Sequence, residues 1–516
     1  MAAELQLSEN RPSSYTALHR LRPAVQIAVF LFFLYLLLST RREVVTFLPQ
    51  NLFFQLDPLT AISAMFASRS WIGSMALSGS ILVVTFLVGR AWCGWLCPLG
   101  TLLDFAPRSR LRRNSLVVDS HLRKIKYSLL LAILLTSTLG TLTLLILDPI
   151  TLLFRALANA VLPLSSSFIL MGEKWAYGIV SLQPAVQWFD SIVRSTLLIE
   201  QPFLLANLTM ALLLASVLAL NVIYPRFWCR YLCPLGALLG LVSVMARIRH
   251  RVDPERCISC QRCAIICPTG AIEAEKKFLA SSTECISCLD CVDSCPTEAI
   301  AFRGRSRSHI PLDSNPQRRR LMISLGAAMV GLVLISVAPI YGRMRSRSVR
   351  PPGTSEEEFL RKCIRCGECA RICPTGVIQP SHSPLYLEGL WTPQLETRLG
   401  YCDYSCTSCG QVCPSGAIAE LPLIDKQKTI IGTARIDRKR CLPWAEDREC
   451  IVCEEMCPVP QKAIRLEKRV VVHSSYEVIT LLQPTVIPDL CIGCGICEYK
   501  CPLDGEAAIR IYPNRL

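Results

Sequence analysis

Cys257-Ile-Ser-Cys260-Gln-Arg-Cys263-Ala-Ile-Ile-Cys267-Pro268 is followed closely by Cys285-Ile-Ser-Cys288-Leu-Asp-Cys291-Val-Asp-Ser-Cys295-Pro296. Both stretches read C-x2-C-x2-C-x3-C-P. Three thiolates in so tight a loop wrap three irons of one cubane cluster, and the fourth, turned away by the proline, reaches the neighbouring cube. The spacing assigns one [4Fe–4S] cluster to Cys257, Cys260, Cys263 and Cys295. It assigns a second to Cys285, Cys288, Cys291 and Cys267. Structural zinc sites pair two dyads and do not repeat four thiolates with a trailing proline.

Four more groups follow. Cys363, Cys366, Cys369 and Cys373 keep the regular spacing, as do Cys491, Cys494, Cys497 and Cys501. Between them, Cys402, Cys406, Cys409 and Cys413 have one extra residue in the first gap, and Cys441, Cys450, Cys453 and Cys457 have eight residues there. Each group ends in Cys-Pro, at Pro374, Pro414, Pro458 and Pro502. Pro-Thr-Gly-Ala-Ile, Pro-Thr-Glu-Ala-Ile, Pro-Thr-Gly-Val-Ile and Pro-Ser-Gly-Ala-Ile follow four of the six groups, so one supersecondary unit is repeated. The expectation is six [4Fe–4S] clusters in α+β bacterial ferredoxin-like modules. A [3Fe–4S] cluster, or a lost one, is the alternative for the two irregular groups.

All 28 cysteines of the 516-residue chain fall in tight groups, whereas disulfide frameworks scatter theirs. The net charge of +15 sits beside apolar runs, the pattern of membrane flanks and not of a nucleic-acid groove. Mean hydropathy is +0.38. Five stretches are long enough to span a bilayer, which takes about 20 helical residues. They are Pro23–Thr40, Trp71–Gly89, Tyr127–Leu147, Leu204–Tyr224 and Leu321–Ile340. Residues 149–171, apolar around Arg155, read as an interfacial helix. Basic residues at 90–126 and 225–320 place those segments and the N-terminus in the cytoplasm, and 341–516 outside. The domains expected are a membrane domain over 1–245, a two-cluster cytoplasmic ferredoxin over 246–305, a basic linker and signal-anchor helix over 306–350, and a four-cluster extracytoplasmic ferredoxin over 351–516. The localisation expected is the inner, cytoplasmic membrane.

A second repeat lies in the membrane half. Arg90-Ala-Trp-Cys-Gly-Trp-Leu-Cys-Pro-Leu-Gly100 matches Arg226-Phe-Trp-Cys-Arg-Tyr-Leu-Cys-Pro-Leu-Gly236. Cysteines at i and i+4 share a helical face. Two such faces offer Cys93, Cys97, Cys229 and Cys233 for a seventh cluster, with a pair of separate dithiols as the alternative. The flanking Trp92, Trp95, Trp228 and Tyr231 suit a quinone headgroup site or, as the plainer expectation, an interfacial aromatic belt. His19, His121, His250, His309, His382 and His473 all lie outside the expected spans, and no C-x-x-C-H occurs. Neither an intramembrane bis-histidine haem nor a c-type haem is supported.

On these motifs, residues 1–305 resemble the NapH type of membrane ferredoxin, and 318–516 resemble the NapG/MauM type of exported 4Fe-4S ferredoxin. Cys441-Leu-Pro-Trp-Ala-Glu-Asp-Arg-Glu-Cys450-Ile-Val-Cys453 is similar to that family's unusual third group. The second group departs from the family pattern. The resemblance implies a fusion that passes electrons from the quinol pool to an extracytoplasmic reductase or cytochrome, as a quinol dehydrogenase does. It also implies nested pairing outside, the first group with the fourth and the second with the third. Arg318-Arg319-Arg320-Leu321-Met322 looks like an internal twin-arginine export signal, with a positive-inside anchor as the alternative. Two rival functions remain. Membrane ferredoxins of the NosR and CcoG types carry similar motifs and support metalloenzyme assembly or regulation, and a cytoplasmic ferredoxin as electron donor would reverse the flow.

Overall fold

A computed structural model describes residues 13–40, 48–106, 122–193, 205–273, 277–304, 348–353, 355–381, 387–472 and 478–513. The expected fifth span and the arginine run 318–320 lie outside the described residues. The chain divides into two compact units. The first comprises Met1–Leu38, Thr46–Ala156 and Thr209–Ser336. The second comprises Ser39–Val45, Leu157–Leu208 and Val337–Leu516.

In the first unit, helix starts are written twice in the sequence, as Leu56-Asp-Pro-Leu-Thr60 and Leu147-Asp-Pro-Ile-Thr151. Proline at the first helical position fixes φ and gives up only an N–H that would have no partner there. The aspartate before it accepts the free amides: Asp57 from Leu59 N at 2.9 Å, and Asp148 from Ile150 N and Thr151 N at 3.0 and 2.9 Å. The helices Pro58–Ser68 and Pro149–Ala156 follow. Edge-on aromatic pairs, Phe33 with Phe53 and Phe54 with Phe154, pack the neighbouring turns at 5.1 and 5.2 Å.

Among the described residues, two helices are long and apolar enough to cross a membrane, Ala17–Ser39 and Pro149–Tyr177. The expectation of about five spans therefore stands at two by length. The second expected span is the short helix Gly73–Val88. The third is Ile125–Thr138, which ends at Gly140 (φ +86°) and gives way to a 3₁₀ segment. The fourth is the 19-residue helix Leu205–Ile223. In the segment 149–171, expected as an interfacial helix, Pro149–Ala156 is buried in protein whereas Leu164, Phe168 and Met171 are exposed. Arg155, which suggested one, is buried and donates from Nη2 to Ile146 O at 3.1 Å.

The same unit holds a ferredoxin module. Strand β1 (Ile248–Val252) pairs antiparallel with β2 (Ile300–Gly304), Ile248 opposite Gly304, so the strands bracket the first two cysteine groups. Between them the helices Arg262–Ile266 and Asp290–Asp293 pack together over Ile272, Phe278 and Ile300.

The second unit holds two further modules, and the last follows this plan. The hairpin of β3 (Ile378–Pro380) and β4 (Pro393–Leu395) lies between the third and fourth groups along the chain. Strands β5 (Thr433–Ile436) and β8 (Ile509–Tyr512) bracket the last two groups as β1 and β2 bracket the first two. A long hairpin, β6 (Ile464–Val472) with β7 (Val478–Val486), is inserted between them. It covers the lengthened gap of the group at Cys441: Trp444 Nε1 donates to Pro484 O at 3.1 Å, and Gln483 Nε2 to Pro443 O at 2.8 Å.

Candidate iron–sulfur sites

In the first module, one hollow is lined by Cys257, Cys260 and Cys263 together with Cys295, and the other by Cys285, Cys288 and Cys291 together with Cys267. Each group lends its last cysteine to its neighbour. The residue before each proline is held extended (Cys267 has φ −62° and ψ 111°), which carries its thiol away from its own loop. The two sites differ in surroundings. Cys260 is exposed, whereas Cys288 and Cys291 are buried.

The second unit departs from the nested pairing. Helix Glu368–Ile372 packs on Ser408–Gln411, and Val452–Glu455 packs on Ile496–Tyr499. Cys402, Cys406 and Cys409 line a hollow with Cys373, while Cys363, Cys366 and Cys369 gather with Cys413. Cys441, Cys450 and Cys453 line one with Cys501, and Cys491, Cys494 and Cys497 gather with Cys457. The groups thus pair with their sequence neighbours, first with second and third with fourth. The exchange of a fourth cysteine is the same under either scheme, so spacing could not choose between them. The β5–β8 ladder, which closes the last two groups into one module, does.

The two C-x3-C-P motifs fold as near copies. The expected α-helical i, i+4 face is replaced by a π turn in each, Trp92–Leu96 and Trp228–Leu232. Cys97 N donates to Trp92 O and Cys233 N to Trp228 O, both at 2.9 Å. Pro98 and Pro234 push the preceding cysteine to extended backbone, and that cysteine becomes the cap of the next helix. Cys97 Sγ accepts from Gly100 N at 3.5 Å, and Cys233 Sγ from Gly236 N at 3.2 Å. All four thiols are buried and lie within electrostatic reach of one another. Burial first, and then the neighbours Cys93 and Cys229, push the Cys97 thiol well up; burial and then Cys229 do the same to Cys233. Thiols held protonated in this way give up their protons to a metal, whose charge offsets both burial and repulsion.

Each motif sends its arginine across to the other. A Cβ on Gly236 would lie 2.6 Å from Arg90 Nη2, and one on Gly100 3.5 Å from Arg226 Nη1. Both arginines are fully buried. Arg226 is held bidentately by Asp104, Nε to Oδ1 at 2.8 Å and Nη2 to Oδ2 at 2.7 Å, and it donates to Cys93 O at 2.7 Å. Burial works to raise the Asp104 carboxyl, but Arg226 and then Arg22 outweigh it and hold it down at about 2. Removing one member of such a buried pair costs roughly 3–5 kcal/mol.

The residues present fit an iron–sulfur cluster between the motifs. Among the described residues, Trp92 Nε1, Trp228 Nε1 and Arg90 Nε and Nη2 are buried donors with no acceptor. Cluster sulfides and thiolates are acceptors, and N–H donors around them are what tunes such sites. Also among the described residues, no three His, Cys, Asp or Glu side chains converge as a single metal ion would need. A cubane sets its four thiolates apart. Of the four aromatics, Trp92, Trp228 and Tyr231 are buried in protein, which a lipid-facing belt is not, and Trp95 Nε1 donates to Ser287 O of the ferredoxin module at 2.9 Å. Sequence spacing did not single out Arg22, Asp104, Lys126 or Glu284. Lys126 Nζ reaches Glu284 at 2.6 Å from the other end of the unit's sequence, a pairing that local patterns do not carry.

Models of the 4Fe-4S binding domain match residues 71–115, 206–251 and 250–273. Models of the 4Fe-4S dicluster domain match 277–374, 362–417 and 448–504. The 277–374 match takes one cysteine group from each side of the linker, so it reports the repeat and not a folded module. The methylamine utilization ferredoxin-type protein MauM of Methylorubrum extorquens is 33% identical over 212 residues, 39% of this chain and 91% of that protein. The ferredoxin-type protein NapG of Haemophilus influenzae is 32% identical over 219 residues, 39% of this chain and 74% of that protein. NapG of Escherichia coli is 32% identical over 207 residues, 39% of this chain and 87% of that protein. No solved structure matches the chain significantly. With several 4Fe-4S domains, and with a match that covers nine-tenths of one relative, the chain belongs to the MauM/NapG family of ferredoxin-type proteins.

Proposed function

We propose that the chain is a membrane-bound electron carrier that takes electrons from a quinol and passes them to an extracytoplasmic reductase or cytochrome. Its NapH-like half is the multi-pass inner-membrane part, and its NapG-like half is the exported part. Each [4Fe–4S] cluster supplies one reversible electron. Six are held by the ferredoxin cysteines in the pairs described above, and a seventh by Cys93, Cys97, Cys229 and Cys233. The observation that carries the reading is the gathering of these last four thiols, with buried donors around them, directly against the ferredoxin group of Cys285. Both motifs follow apolar helices, so a membrane-dissolved reductant can approach them. The protein's part is to exclude water, hold the thiolates and supply N–H groups and cations. The quinone headgroup, if it binds near Trp92, Trp95, Trp228 and Tyr231, has to reach rings that are mostly buried.

The test uses anaerobically purified full-length protein in lipid. Iron analysis should give about 24 to 28 irons per chain, from six or seven cubes of four. A quinol should then reduce clusters seen by EPR. Failure of every quinol to do so, with full iron content, would remove the quinol assignment. Reduction by a cytoplasmic ferredoxin alone would reverse the direction.

A further inference from the structure

The two membrane motifs form a platform with near two-fold symmetry, yet a single ferredoxin module sits on it. A symmetric platform would accept the module's loop in two ways. Two of the positions where the repeat breaks bear directly on that loop. Gly94 stands where the second motif has Arg230. A Cβ at 94 would lie 2.2 Å from Ile286 O and 3.3 Å from Ile286 C, so only glycine lets that backbone in. Arg230, buried with its Nε unpartnered among the described residues, is within electrostatic reach of Cys267 on the same ferredoxin site.

The other such break is Asp104, which stands where the second motif has Gly240. Asp104 holds Arg226. For the equivalent Arg90 the second motif offers Gly240 in place of that acid, and Arg90 takes its partners from the ferredoxin instead: Nη1 donates to Thr283 O at 2.7 Å, with Glu284 at 3.7 Å. A Cβ at Gly240 would lie 2.9 Å from that same Thr283 O. Trp95 Nε1 to Ser287 O at 2.9 Å, Ser243 Oγ to Ser282 O at 2.7 Å and Ser287 Oγ to Val88 O at 3.2 Å close the contact.

We propose that Gly94 with Arg230, and Asp104 with Gly240, key the ferredoxin module onto the paired motifs in one orientation, so that the Cys285 group is always the inner site and the Cys257 group the outer one. This rests on the proposed cluster between the motifs. The four positions are positioning residues, and none ligates a cluster. The exposure of Cys260 and the burial of Cys288 follow from the order they impose.

The experiment compares Gly94→Ala with Gly79→Ala, a helix position whose Cβ would meet nothing within 4 Å. Iron content, EPR relaxation between neighbouring clusters and hydrogen exchange over 282–290 are measured on full-length protein in lipid. Gly94→Ala should keep its iron, lose protection at 282–290 and lose the magnetic coupling between the motif cluster and the inner site. Gly79→Ala should change none of these. If Gly94→Ala does not accumulate, Trp95→Phe, which deletes one hydrogen bond and no volume clash, should give a partial loss of protection. Unchanged protection and coupling in whichever variant accumulates would overturn the proposal. Wild-type protein that shows six clusters and no signal from the motif cysteines would instead sink the cluster on which it rests, leaving the exchange result to judge the docking alone.

Discussion

The backbone N–H of Cys402 donates to the carbonyl of Cys494 at 2.8 Å. This bond joins the two ferredoxin modules of the second unit, and it joins them through cysteine loops. Around it, Arg398 donates from Nη1 to Glu498 O and Cys501 O at 3.0 and 3.1 Å, and Thr397 Oγ1 reaches Glu498 at 2.7 Å. The rings of Tyr401 and Tyr499 meet at 5.5 Å. The four sites therefore run in an order that differs from the sequence: the Cys363 loop, the Cys402 loop, the Cys491 loop, then the Cys441 loop.

Sequential pairing makes a prediction that nesting contradicts. Cys413→Ser removes the fourth ligand of the site built on Cys363, Cys366 and Cys369, and leaves Cys402, Cys406 and Cys409 with Cys373. Mössbauer and EPR spectra should show one altered cluster at the end of the line, with the sites of Cys441 and Cys491 untouched. Damage to the Cys441 site would restore the nested scheme.

The membrane motifs should behave as one unit. If Cys93, Cys97, Cys229 and Cys233 share a cluster, Cys93→Ser should cost as much as removing all four, since three thiolates hold a cube poorly. Such non-additivity marks residues of one network. The measurement is quinol-driven cluster reduction, with protein level in the membrane followed in parallel. Full activity in Cys93→Ser would refute the shared site. Intact protein with six clusters and no reduction by quinol is the expected result.

Much of this was legible in the sequence because cluster ligation is local. Four cysteines and a proline within twelve residues write the loop, its three ligands and the redirection of the fourth. The doubled R-x-W-C-x-x-L-C-P-L-G likewise offered four thiols, and left open whether they meet or stay two separate dithiols. What stayed hidden was set by long-range packing. The partner of each loop depends on which strands close a module, as β5 and β8 do across the whole of the last one. The number of spans was not legible because an apolar run does not say where a helix ends. Gly140 cuts the run 127–147 to a helix that stops at Thr138. Arg155 misled because a lone charge in an apolar helix reads as surface until its carbonyl partner is known.

Asp57 and Asp148 carry the last prediction. They cap equivalent helices in the first unit, both are fully buried, and their side chains hydrogen-bond each other. Oδ2 of Asp57 and Oδ1 of Asp148 have no other partner among the described residues. Burial raises both carboxyls, and the neighbouring Asp148 raises Asp57 further, so the prediction is that the pair shares a proton. A carboxyl whose folded pKa is raised binds more protons folded than unfolded at intermediate pH. Its contribution is complete below the unfolded value of about 4 and is lost as pH climbs through the folded value. Thermal unfolding in lipid should therefore show stability falling from acid toward alkaline pH. Asp57→Asn keeps the oxygen that caps Leu59 N and supplies an amide proton that does not titrate, so it should flatten that fall and leave the acid limb unchanged. Asp57→Ala removes the cap and leaves Asp148 facing no donor, at a cost of roughly 1–3 kcal/mol at every pH. A pH profile in Asp57→Asn as steep as that of the wild type would show that the two carboxyls do not share a proton.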